Sequence, residues 1–245
     1  MRGKINHQRS FYGIDFLAKK HVLRHRFYQK SKREQHQIQL WIGLGAFTVL
    51  LAASFISWIT GIYLIGFLIF PITLSMIAPF FDTPALKKSG KLMYHSSLFL
   101  SEKPKDGLIK IHGGTLFDYV FVLDPELNSR QRTNIVLQQY LEGLLCLIEQ
   151  YDGTENIMVS GTSYIINKRT AERVGFTVTK TDALQKMILM VNYFNVLTSY
   201  SIAKGKLSFP KLNATKTFEA KMDELVERKQ LIGDLNEKLK RSITT

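Results

Sequence analysis

A single cysteine, Cys146, is all the thiol chemistry this 245-residue chain has. It can form no intrachain disulfide, so nothing points to an oxidising compartment. Zinc-binding motifs are missing too: there is no His-Glu-x-x-His and no second cysteine. No Gly-x-x-x-x-Gly-Lys-Ser/Thr loop is present to cradle a nucleotide phosphate. These absences leave no catalytic residue, metal or cofactor to assign. The most informative absence is local: from Ile38 to Phe81 there is not one Asp, Glu, Lys or Arg.

That uncharged stretch divides into two runs, Ile38–Ile59 and Ile62–Phe81, separated by Thr60 and Gly61. As helices they would reach about 33 Å and about 30 Å, enough to cross a hydrocarbon core. Trp41 and Trp58, the only tryptophans, stand near the ends of the first run, where amphipathic rings favour the headgroup level. Pro71 and Pro79 should kink the second run, which membrane helices tolerate when the freed carbonyls find other donors. Both runs are too long for a signal peptide's apolar core, and they begin far into the chain. The expectation is a transmembrane helical hairpin, with a re-entrant hairpin as the rival. Gly43, Gly45 and Ala46 supply small residues for close helix contact.

The net charge of +13 is unevenly placed: residues 1–37 carry +8, residues 82–210 carry +3 and residues 211–245 carry +2. A basic arm touching an apolar span reads as an orientation signal and a site for anionic lipid, in preference to nucleic acid. Lys30, Lys32 and Arg33 precede the hairpin, Lys87, Lys88 and Lys91 follow it, and the turn carries no charge. The positive-inside rule then puts both termini in the cytoplasm, at a plasma or inner membrane.

The expected organisation is a basic amphipathic arm (1–37), the hairpin (38–81), a mixed domain (82–210) and a charged helical tail (211–245). The fold class is an α+β (or α/β) soluble domain attached to an N-terminal two-helix transmembrane hairpin. Within the arm, residues from Phe11 onward read as an amphipathic helix on the lipid surface. Asp82-Thr83-Pro84 reads as a turn or helix start, and Lys91–Ser101 as one or two strands. Leu108–His112 and Thr115–Leu123 read as strands of a hairpin turned at Gly113-Gly114. That places Asp118 and Asp124 on one strand, too far apart for joint acid–base work. Asn128 and Gln131 form a capping box opening a long helix that Asp152-Gly153 ends. Strands follow at Ile157–Ser160, broken at Gly161-Thr162 and resuming at Ser163–Ile166. Then come a short helix Lys168–Val174 capped by Asn167, a strand at Phe176–Val178, and a helix opened by Asp182. The uncharged segment Met187–Ala203 is short and polar for a third span, and reads as a buried or membrane-surface helix. Thr215–Arg241 reads as helix, with Lys229 and Asn236 interrupting its apolar seam.

Two motifs carry weak chemistry. His112-Gly113-Gly114 resembles the oxyanion segment of α/β-hydrolases, and Gly161-Thr162-Ser163-Tyr164 opens like a nucleophile elbow. Ile165 stands where the elbow needs glycine, and no histidine follows Ser163, which excludes that triad order. The stretch Asn167-Lys168-Arg169-Thr170-Ala171-Glu172-Arg173-Val174-Gly175-Phe176 resembles the late Asn…Ala…Gly-Phe stretch of GNAT acyltransferases. It lacks the family's usual tyrosine, and the chain has no Arg/Gln-x-x-Gly-x-Gly/Ala loop for a pyrophosphate. The resemblance implies a membrane-associated acyltransferase. Arg169 and Arg173, at i and i+4, are the candidates for an anionic ligand. The leading expectation is a non-enzymatic, membrane-anchored interaction or accessory module with a protein partner or self-association. The alternatives are the acyltransferase and a small subunit of a membrane complex.

Overall fold

A computed structural model describes residues 25–163, 166 and 168–244. It is a mixed α+β structure with six strands and ten α-helices among the described residues. A short helix α1 (Arg26–Gln29) leads into α2 (Lys32–Thr60) and α3 (Tyr63–Lys88), the two helices long and apolar enough to cross a membrane. A side chain opens α2: Ser31 Oγ accepts from Glu34 N, and the Glu34 carboxylate accepts from Ser31 N. Gly61, at φ +69°, makes the turn into α3, a conformation that costs other residues a steric clash. The two helices pack through small residues, Ala46, Ala53 and Ser57. Ser57 Oγ also accepts from Gly66 N, one of the donors left over at the start of α3.

The helix α3 does not stop at Asp82-Thr83-Pro84 but runs on to Lys88 with Pro71, Pro79 and Pro84 inside it. A helical proline strips the carbonyl four residues earlier of its donor. Two of those carbonyls find another. Gln39 Nε2 of α2 donates to Phe80 O, the carbonyl that Pro84 frees, at 3.0 Å. Asn195 Nδ2 donates to Ser75 O, the carbonyl that Pro79 frees, at 2.8 Å. Partners from outside the helix thus carry it through its own breakers.

After α3 come β1 (Leu92–Ser96), β2 (Phe99–Glu102) and β3 (Leu108–Gly113), then α4 (Leu116–Val122) and α5 (Ser129–Tyr151). β4 (Met158–Ser163), α6 (Lys168–Arg173) and β5 (Thr177–Lys180) follow. The chain continues through α7 (Ala183–Val191), α8 (Tyr193–Lys204), β6 (Lys216–Lys221), α9 (Met222–Glu227) and α10 (Lys229–Thr244). The sheet order is β1-β2-β3-β4-β6-β5. Only β3 and β4 are parallel, with Ile109 opposite Val159; every other neighbouring pair is antiparallel.

Several expectations are corrected here. Thr115–Leu123 is the helix α4, not a strand, and Gly113-Gly114 is not a hairpin turn. The sequence Leu-Phe-Asp-Tyr-Val-Phe-Val has strand-like composition, but Asp118 Oδ2 accepts from both Thr115 N and Thr115 Oγ1 and so fixes a helix start. Asp118 and Asp124 therefore share no strand. Gly161-Thr162 does not interrupt β4, which runs through it. Met187–Ala203 is two helices that meet at Asn192. Thr215–Arg241 is not wholly helical: Lys216–Lys221 enters the sheet between β4 and β5. Alternation decides that strand, with Phe218 and Ala220 buried in the core.

One face of the sheet carries Ile109, Val159, Phe218 and Ala220 against Leu144, Leu147 and Ile148 of α5 and Met222, Leu225 and Ile232 of the last helices. The residues that interrupted the seam now have partners. Asn236 Oδ1 accepts from Gln138 Nε2 at 3.1 Å, and Lys229 lies 3.6 Å from the Glu149 carboxylate. On the opposite face Lys110, His112, Thr177 and Thr179 are exposed.

Of the basic arm, residues 1–24 lie outside the described residues, among them most of the expected amphipathic helix. In the part described, Lys30, Lys32 and Arg33 are exposed, while the residues before them pack on the domain. Phe27 is buried, 4.9 Å from the Phe117 ring, and Arg26 donates to the carbonyls of Val120, Phe121 and Leu123 at the end of α4. A guanidinium on the last carbonyls of a helix complements its dipole. This stretch of the arm is thereby stitched to the domain.

Candidate functional site: a cavity between the sheet ends and a long apolar helix

A cavity of about 1100 Å³ opens where the two parallel strands end. Its floor is Gly113 to Thr115 after β3 and Gly161 to Ser163 of β4. Parallel neighbours leave by crossover connections, so their carboxyl ends frame a crevice, the usual ligand position in sheets of this type. α5 contributes Tyr140, Leu141 and Leu144, α6 contributes Ala171 and Val174, and α10 contributes Leu235 and Leu239. The remaining wall belongs to the apolar helix α3, through Pro79, Thr83 and Leu86, with Asn195 and Ser199 of α8 beside them. The lining is mostly apolar, with polar groups at a few points.

Those points fall in three places. Deep in the cavity, the Tyr119 and Tyr140 hydroxyls are 3.2 Å apart. Tyr140 sits so close to Gly113 that a Cβ there would collide with its hydroxyl, so glycine is required for this packing. Burial pushes the Tyr140 phenol pKa up, so it stays a neutral donor. On the α3 side, Asn195 is nine-tenths buried and its Oδ1 has no partner. Its orientation is fixed, because Nδ2 must face the Ser75 carbonyl; Oδ1 is left as a free acceptor. At the rim stand Arg130 of α5 and Lys238 of α10, both exposed. Their helices are joined there by Asn134 donating to Ser242 Oγ at 3.1 Å. His112, also at the rim, lies 3.0 Å from the Glu102 carboxylate, both about half exposed.

The anion candidates Arg169 and Arg173 are exposed on α6, and neither lines the cavity, although Thr170, Ala171 and Val174 of that helix do. Asn167 and Tyr164 lie outside the described residues. Trp41 and Trp58 stand outward on α2, at 69% and 73% exposure. Gly45 also faces open space, while Gly43 lies near Phe81. Among the described residues no group of His, Cys, Asp or Glu could hold a metal ion.

A second polar cluster lies behind the cavity. The Asp118 carboxylate, fully buried, takes Tyr94 OH and His25 Nε2 on Oδ1 and the two Thr115 donors on Oδ2. Lys87 Nζ sits 3.5 Å over the Tyr28 ring. Burial pushes both the Tyr28 and Tyr94 phenols well up, with the Asp118 charge adding to the shift. Thr115 alone of these lies on the cavity floor, while His25, Tyr28, Lys87, Tyr94 and Asp118 do not line it, so the cluster fastens arm, hairpin and domain together.

No family model, curated protein or solved structure matches the chain. Sequence reasoning found His112 and the small α6 helix but missed Tyr119, Tyr140, Asn195, Arg130 and Lys238. One signal was available for Asn195: a proline in an apolar helix needs an outside donor for the carbonyl four residues back, and an amide in an apolar segment can supply it.

Proposed function

We propose that the chain is an integral membrane protein whose hairpin crosses the bilayer and whose domain works at the cytoplasmic face. In this reading it is an accessory module that holds an amphiphilic, lipid-derived ligand in the cavity. One observation carries it: the cavity has the carboxyl ends of β3 and β4 on one side and the membrane helix α3 on the other. A site with such walls is suited to a molecule that comes from the membrane. The apolar lining fits an alkyl chain. The tyrosine hydroxyls fit a polar group, and Arg130 with Lys238 fits an anionic head at the rim. The lysines on both sides of the hairpin support the orientation.

The test is lipid analysis of the full chain purified in mild detergent and in nanodiscs. A bound amphiphile should copurify in amounts near one per chain. Leu141→Trp, which places a large ring in the cavity, should reduce it at least fivefold while the domain still unfolds cooperatively. Charge reversal at Arg130 and Lys238 should weaken an anionic ligand about tenfold. A wild-type protein carrying no more lipid than empty nanodiscs would sink the reading.

A second reading, acyl transfer, is favoured by the His112–Glu102 pair at the rim, where a carboxylate can orient an imidazole. Against it, the N-terminus of α5 is closed by its own side chains. Asn128 Oδ1 takes Gln131 N and Gln131 Oε1 takes Asn128 N, so those two groups are not bare for a pyrophosphate. Acyl-thioester turnover by the full chain that His112→Ala abolishes would favour transfer over simple holding.

A further inference from the structure

We infer that the α7–α8 segment is a third membrane element, lying in the cytoplasmic leaflet beside α3 with its apolar face against lipid acyl chains. The inference rests on the hairpin crossing the bilayer. Its anchor is the Asn195 side chain, which bonds both Ser75 O and Ser75 Oγ, at 2.8 and 3.1 Å. Ser75 lies six residues before Phe81, the end of the uncharged run. Along a helix that is about 9 Å inside the apolar zone. Thr198 stands 3.9 Å from Met76 Sδ, so α8 follows α3 over a further turn. The start of α8, and α7 joined to it at Asn192, are therefore held at or below the lipid surface.

The side chains agree with that depth. No residue of α7 is buried in the protein. Leu184, Met187, Met190 and Val191 are all more than half exposed, and Ile188 and Phe194 add to the same surface. That many large apolar side chains in one patch marks a contact surface rather than ordinary scatter. From Met187 to Ala203 there is no charge, while Lys186 precedes this stretch and Lys204 and Lys206 follow it. Lysines at the two exits suit anionic headgroups, and an apolar middle suits the acyl region. The segment is too short to cross and re-cross, so it enters and leaves on one side. Since Leu189, Asn192 and Val196 line the cavity, that wall of the cavity lies in the leaflet and a ligand can enter sideways.

The test is site-directed spin labelling of the full chain in proteoliposomes, in a Cys146→Ala background. Labels go at Met190→Cys in α7, Leu68→Cys in the hairpin and Lys206→Cys after α8. Collisions with oxygen report lipid, and collisions with a water-soluble nickel chelate report water. The expected result is a label at 190 that matches 68, with an oxygen-to-nickel ratio several-fold above that at 206. A nickel-accessible 190 beside a lipid-facing 68 would overturn the inference and leave the hairpin intact. A nickel-accessible 68 would remove both. A label at 190 shielded from both reagents would mean that protein covers this face, which also overturns it.

Discussion

In α5 the large apolar side chains Leu144, Leu147 and Ile148 are turned inward, and its exposed positions include Arg130 and Glu149. In α2 the order is reversed: Trp41, Phe47, Phe55 and Trp58 stand outside while Ala46, Ala53 and Ser57 are inside. One chain thus follows two opposite rules. Around the sheet, removal of apolar area from water stabilises the packing. In the proposed membrane setting of the hairpin, lipid tails would be as apolar as leucine, so close approach of small residues and hydrogen bonds would have to hold the helices instead. Polar side chains change meaning accordingly. On α5 the charged ones face water and the buried Gln138 and Gln139 bond to other side chains and loops, whereas Gln39 and Asn195 are donors that complete a proline-broken helix.

The sharpest test of that contrast is a matched pair of leucine truncations. Leu147→Ala, at a fully buried core position, should cost the domain about 3 kcal/mol. Leu68→Ala, on the outer face of the hairpin, should change stability by less than about 0.5 kcal/mol. Urea titration of the full chain in detergent reads both, and equal losses would break the comparison. Next in size is the proline lock. Asn195→Leu should cost about 1–2 kcal/mol, because the Ser75 carbonyl loses its only outside donor in an apolar setting. In a Pro79→Ala background the backbone N–H returns and the same substitution should cost close to nothing; a cost unchanged by Pro79→Ala would remove the lock.

Smaller still is the thiol. Burial, helped by the neighbouring Glu149 and Glu142, pushes Cys146 up to about 11 from an ordinary value near 9. The folded state therefore favours the neutral thiol. Its contribution is intact below about pH 9 and is lost as pH rises toward 11. Alkylation of native protein should stay slow at pH 8 and rise steeply only above pH 9. Cys146→Ala should flatten the loss of stability over the same window. The smallest effect is expected on α6, where Arg169 and Arg173 are exposed: the double alanine variant should shift stability by less than about 0.5 kcal/mol. Its lipid occupancy should equal wild type within twofold, and a larger drop would bring this helix into the ligand site.

What the residues disclosed in advance follows the same division. The two apolar helices, the turn at Gly61 and the capping box at Asn128 are local features, set within a few residues of each other. β6 was hidden because Lys-Thr-Phe-Glu-Ala-Lys carries one strong strand former and is followed by helix; its identity comes from β4 and β5 beside it. α4 was hidden for the opposite reason: its composition favours strand, and the single carboxylate of Asp118 outweighs it. The cavity was least legible, since its walls come from segments more than a hundred residues apart.

The position of β6 in the sheet has a consequence for how the protein is made. β4 and β5 leave the ribosome well before the strand that must fit between them, so each waits with open backbone edges. A free polypeptide in that condition can pair with a neighbour's edge and aggregate. Here the hairpin precedes all the strands, so a chain already inserted in a membrane would keep its waiting edges apart from those of other copies. Tethering would then act as a built-in chaperone, and the isolated domain would be expected to refold poorly at concentrations where the anchored protein does not.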